Sequence, residues 1–69
     1  MDEDTVRRID DINEARNFIA DALDIITLAA GENPRVQAYI IPALERLLGP
    51  DKYNFGLDDL INELQGQAN

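Results

Sequence analysis

The apolar residues in the first half of the chain recur at helical spacing rather than at alternate positions. Between residues 5 and 30 they return every three or four positions, which is the period of an amphipathic helix. Ala15, Ala22 and Ala29 repeat every seven residues, so they form a row of small side chains along one line of this helix. Larger apolar side chains flank the row on both sides. The pattern therefore predicts a groove that a second helix can approach closely.

The predicted groove is wider than one neighbouring helix can cover. It consists of nine residues of the first helix: Ile12, Ala15, Phe18, Ile19, Ala22, Leu23, Ile25, Ile26 and Ala29. A single partner helix covers about a third of a helix circumference, whereas this apolar arc spans roughly 160°. Something besides the next helix of the chain must cover the remainder. We therefore expect the chain to form a homodimer through this surface.

Turn-forming residues divide the rest of the chain into two shorter helices. Asn33 suits a helix N-cap, and Pro34 suits the first helical position, where its missing N–H costs nothing. The short turn before them predicts a second helix, over 34–48, that runs antiparallel to the first. Pro42 lies inside this helix and predicts a kink. A third helix is expected over 57–65.

These elements predict an all-α fold in a single domain of residues 1–69. The domain is an antiparallel helical hairpin plus a short C-terminal helix, dimerising into a helical bundle. Residues 1–4 and 66–69 are expected to be frayed. On folding, a chain of 69 residues buries only about 60% of the surface that it exposes when unfolded. Because it has no cysteine for disulfides, oligomerisation is the expected source of further stability.

The charge of the chain limits its partners. Fourteen acidic residues against six basic ones give a net charge of −8. This charge repels phosphate backbones and anionic lipids, so we expect no direct nucleic-acid binding and no membrane association. The longest apolar stretch is interrupted by Asp21 and Asp24, and no signal-peptide pattern precedes it. A cytoplasmic location is the resulting expectation.

The residue types favour binding over catalysis. The chain contains no histidine, cysteine or serine, which leaves no common nucleophile or imidazole base. Its two carboxylate clusters, around residues 10–14 and 58–59, lack the ligand spacing of a calcium loop. We therefore expect no enzyme, no catalytic residue, no cofactor and no metal site.

An acidic stripe follows the polar side of the first helix at spacings of three and four. Its members are Asp10, Glu14, Asn17, Asp21 and Asp24. Such a stripe is the ordinary solvated face of an amphipathic helix. It is also a possible docking strip for a basic protein surface, or an imitation of a nucleic-acid backbone.

A second candidate surface is apolar and lies near the C-terminus. It consists of Tyr53, Phe55, Leu57, Leu60, Ile61 and Leu64. The leucine stripe of the third helix either covers the N-terminal half of the first helix or lies in a groove of another protein. Tyr53 and Phe55 either close the open end of the hairpin or form part of a binding patch.

The function that these features favour is that of a small acidic protein–protein interaction or regulatory module. It would act by binding an unidentified partner protein in addition to a second copy of itself. Two alternatives remain: an acidic nucleic-acid mimic that inhibits a DNA-binding protein, and a structural subunit of a larger assembly.

Overall fold

The computed structural model describes residues 3–50 and 52–67. Over these residues the fold is all-α, as predicted, and contains no strand. Helix α1 spans Glu3–Ala30, α2 spans Ile41–Leu48 after a π-helical segment at Val36–Ile40, and α3 spans Leu57–Gln67. Residues 3, 4, 66 and 67, for which we expected fraying, belong to helices, whereas 1, 2, 68 and 69 lie outside the described residues. No helix in the described part of the chain has the length and apolarity that a membrane crossing requires.

The chain folds as a helical hairpin. One side of the hairpin is α1, and the returning side, residues 34–67, contains the two helices α2 and α3. Both α2 and α3 pack on α1, and they make few contacts with each other. Arg16 of α1 lies 3.0 Å (Nε to Oδ1) from Asp58 in the first turn of α3, and Ile9, almost two turns earlier in α1, is buried. Because α3 begins near Arg16 and covers Ile9, it runs antiparallel to α1 along its N-terminal half. The helix α2 covers the C-terminal half.

Asn33 caps the start of the returning side. Its Oδ1 accepts hydrogen bonds from the backbone N–H groups of Arg35, at 2.9 Å, and Val36, at 3.4 Å. These two groups would otherwise lack partners at a helix start. Pro34 occupies the first helical position. The N-cap predicted from the residue types is therefore confirmed.

The backbone hydrogen-bond pattern of the helix changes next to Pro42. The Ile41 N–H donates to the carbonyl of Val36, five residues back, so that the turn before Pro42 is π-helical. In a regular α-helix the proline ring would clash with the carbonyl of Ala38, and its nitrogen has no hydrogen to donate. Widening the preceding turn by one residue accommodates both defects.

Two glycines allow the backbone to turn between α2 and α3. Gly49 has a φ of +72°, and a cis peptide bond joins it to Pro50. A Cβ on Gly56 would lie 2.7 Å from the Gly49 nitrogen and 2.8 Å from the carbonyl oxygen of Arg46. The two backbones can approach this closely only because Gly56 has no side chain. The Gly56 N–H donates at 2.9 Å to the carboxylate of Asp59, which completes the start of α3.

The described residues enclose very little core. Of the apolar side chains in the described residues, only four are buried: Ile9, Val36, Leu48 and Ile61. Each of them keeps at least 2% of its surface exposed. The Cα atoms extend over 45 × 23 × 9 Å. A thickness of 9 Å corresponds to a single layer of helices. Both broad sides of this layer consequently face solvent.

Candidate interaction surface

In the structure, the other helices of the chain cover one border of the predicted groove of α1 and leave its other border exposed. Phe18 is 65% exposed and Ile25 is 64% exposed, although both are large apolar side chains. The half-buried members of the groove are Ile12, Ala15, Ile19, Ala22, Leu23 and Ile26, and the exposed members are Phe18, Ile25 and Ala29. The helices of the same chain therefore occupy only part of the groove.

A second exposed apolar stripe lies on the returning side of the hairpin. Ile40 is 44% exposed, Leu47 is 47% exposed and Ala43 between them is also exposed. Their spacings of three and four residues place them on one side of the helix. Ile40 and Leu47 belong to an apolar arc in the sequence of this helix, but the sequence gives no indication that α1 leaves them half uncovered. The one available signal was that this arc, like that of α1, is wider than one partner helix can cover.

Helical geometry turns the two stripes toward the same broad side of the layer. On the surface of α1, Ile26 lies near the line that faces α2. Ala22 lies farther around the helix from that line, and Ile25 lies farther still. On α2, a rotation in the same sense about the helix axis, starting from the line that faces α1, leads to Leu47. Successive residues advance by about 100° about a right-handed helix. Because α2 is antiparallel to α1, equal rotations about the two axes lead to the same side.

Together the two stripes form one apolar surface, which we call the open face. It consists of Ala15, Phe18, Ala22, Ile25, Ala29, Ile40, Ala43 and Leu47. Small side chains alternate with large ones on both helices, and no member is charged. The open face is thus suited to close packing against another apolar surface.

The acidic stripe borders the open face on the outer side of α1. All five of its members, Asp10, Glu14, Asn17, Asp21 and Asp24, are exposed. On the helical wheel they centre on the outer edge of α1, opposite α2. At 1.5 Å per residue the stripe is about 20 Å long. The open face and the acidic stripe are therefore adjacent surfaces of the same helix, with Glu14 one turn from Phe18 and Asp21 one turn from Ile25.

The residues of the C-terminal apolar stripe have two different environments. Leu57, Leu60 and Leu64 are half-buried, and Ile61 is buried, in the helix that packs on α1. The two aromatic residues of the preceding connector are exposed, Tyr53 at 83% and Phe55 at 64%. The Lys52 ammonium lies 5.5 Å from the centroid of the Tyr53 ring. The structure thus brings the leucine stripe into contact with α1 and leaves both aromatic rings accessible.

The ion pair between Arg16 and Asp58 was not foreseen from the sequence. Its side chains are 37% and 27% exposed, and it joins α1 to the first turn of α3 across 42 positions in sequence. A sequence pattern can identify charge pairs three or four residues apart on one helix, but this pair depends on how the two helices dock.

Within residues 3–50 and 52–67, no three carboxylates are grouped so that they could hold a metal ion. The same residues include no buried polar side chain. No protein-family model, curated protein or solved structure matches the chain.

Proposed function

We propose that this chain is a small helical interaction module that acts by binding a partner protein through its open face. The observation that supports this proposal is the single helical layer, which exposes an uncharged apolar surface spanning two helices. Stable helical domains bury each apolar face against another element. Within residues 3–50 and 52–67 no element covers this side of the layer, so another polypeptide is the natural complement.

The energetic gain from covering the open face is substantial. Burying a large aliphatic or aromatic side chain completely contributes about 1.5 to 3 kcal/mol. Phe18 and Ile25 are about two-thirds exposed, and Ile40 and Leu47 are nearly half exposed. Covering these four side chains would therefore contribute about 3 to 7 kcal/mol, and the apolar side chains of the partner would have to supply the remainder of the roughly 8 kcal/mol of a micromolar complex.

The acidic stripe supports a second candidate surface for the same general function. Its exposed carboxylates extend along the outer edge of α1, where they can face a basic protein surface. This arrangement would also serve a nucleic-acid mimic. The two surfaces differ in chemistry, so they can be tested separately.

Site-specific photo-crosslinking in the cells that naturally contain the chain tests the proposal. A photoreactive phenylalanine analogue would replace Phe18 on the open face or, as a matched control, its exposed neighbour Asn17 on the acidic stripe. We expect crosslinked protein adducts from position 18 and few from position 17. Adducts from position 17 alone would identify the acidic stripe as the binding surface, and no adduct from either position would contradict the proposed function.

A further inference from the structure

The accessible surface of the chain is larger than a folded monomer of its mass normally exposes. It measures 5215 Å² for a chain of 7.7 kDa, whereas about 4300 Å² is typical at this mass. The excess of about 900 Å² is close to the roughly 800 Å² that each partner buries in a standard-size protein interface. The radius of gyration, 14.3 Å, likewise exceeds the roughly 11 Å expected of a compact domain of this length.

The chemistry of the open face selects among the possible occupants. An anionic membrane would be repelled by the net charge of −8. For a basic partner, the carboxylates of Asp11, Glu14 and Asp21 border the open face, but the eight members of the face itself carry no charge. A second copy of the chain presents the same uncharged surface, with large side chains beside small ones. Such a surface can pack against itself across a two-fold axis.

We infer that the open face is covered by a second copy of this chain. The two layers stack with their open faces together and form a bundle two helices wide and two layers thick. This inference rests on the proposed function, because it names the partner that occupies the same surface. In this arrangement the acidic stripes remain along the outer edges of the dimer.

Sedimentation velocity over a range of concentrations, with paired variants, tests the inference. The wild-type chain is expected to sediment as a dimer at micromolar concentration. Ile25→Glu places a charge on the open face and should raise the dimer Kd by more than about a hundredfold, whereas Thr27→Glu adds the same charge on the opposite broad side and should change it little. A wild-type monomer, or a dimer that Ile25→Glu leaves intact, would overturn the inference.

A milder substitution addresses the possibility that the Ile25→Glu variant fails to fold. Ile25→Ala removes apolar contact without introducing a charge, and it should raise the Kd by more than about tenfold while circular dichroism at high concentration shows full helicity. An unchanged Kd would contradict the inference. A monomeric wild-type chain that still gives heterologous adducts from position 18 would overturn only the second copy as partner, whereas the absence of adducts would overturn the proposed function.

The salt dependence of the wild-type chain distinguishes the second copy from a basic partner. Two chains of charge −8 repel each other, so raising the salt concentration should lower the dimer Kd. A complex held by the acidic stripe would instead weaken as salt rises. A Kd of self-association that increases with salt would overturn the apolar, uncharged interface.

Discussion

Gly56 shows how strongly this fold depends on one residue without a side chain. It is buried between α2 and α3, where its backbone approaches Gly49 and the carbonyl oxygen of Arg46. The atoms that limit the space are backbone atoms, which cannot move aside as the end of a flexible side chain can. The position therefore tolerates glycine alone without displacement of α3.

Replacing Gly56 with alanine should destabilise the chain by about 1 to 3 kcal/mol, because the new Cβ would overlap the backbone of α2. Gly66 provides the control, since a Cβ there meets nothing within 4 Å. Gly66→Ala in the last turns of α3 should be neutral or stabilising by up to about 1 kcal/mol. Urea titrations of both variants make the comparison, and equal effects would contradict the close approach of the two backbones.

The ion pair of Arg16 and Asp58 should contribute modestly, because both side chains remain partly exposed. Asp58→Asn is expected to lower stability by less than about 1 kcal/mol, and the loss should shrink at high salt. Glu63→Gln removes a carboxylate from an exposed position of the same helix and should have a smaller effect. A salt-independent loss in thermal denaturation experiments would indicate that Asp58 acts through packing instead.

Residue types alone predicted some of these local features. The N-cap role of Asn33 and the placement of Pro34 follow from rules that involve only neighbouring residues. The contact at Gly56 and the partner of Arg16 depend on residues distant in sequence. They require knowledge of how α3 docks, which a short-range pattern does not contain.

At the level of elements, the least predictable feature is the returning side of the hairpin. Pro42 predicted a kink, and the structure has a π-helical turn immediately before it. The hydrophobic pattern of the third helix left open whether it packs on its own chain or on a partner. The structure places it on α1 because that is the surface which α2 is too short to reach.

Ile61 tests this placement of the third helix. It is 8% exposed, so Ile61→Ala should cost about 2 to 4 kcal/mol and should lower amide-exchange protection throughout α3. The neighbouring exposed residue Asn62 provides the control, and Asn62→Ala should have little effect. Unchanged exchange in α3 of the Ile61→Ala variant would show that this helix is not held by α1.

At the level of the whole molecule, the sequence correctly predicted an all-α fold but not its thinness. The wide apolar arc of α1 indicated that one helix could not cover it, and Phe18 and Ile25 are indeed exposed in the single chain. The contribution of Ile40 and Leu47 to the same face could not be predicted. It depends on the rotation of α2, which the π-helical turn at Val36–Ile40 helps to set.

Stability that rests on the proposed dimer should depend on chain concentration. A tenfold increase in concentration should favour the folded dimer by about 1.4 kcal/mol, so the melting temperature should rise with concentration. The Ile25→Glu variant should show a much weaker dependence. A wild-type melting temperature that is constant over a hundredfold range would contradict coupling between folding and pairing.

The 9 Å thickness of the helical layer also bears on how sharply the chain responds to denaturants. The slope of the unfolding free energy against urea, and the heat-capacity increment, both scale with the surface that becomes hydrated on unfolding. A single helical layer that is solvated on both sides exposes less new surface on unfolding than a compact domain of the same mass, because its folded accessible area is already larger. A solitary chain should therefore melt over a broader range of temperature than a compact domain of the same length, and a sharper transition is expected of the stacked dimer, which adds a dry interior.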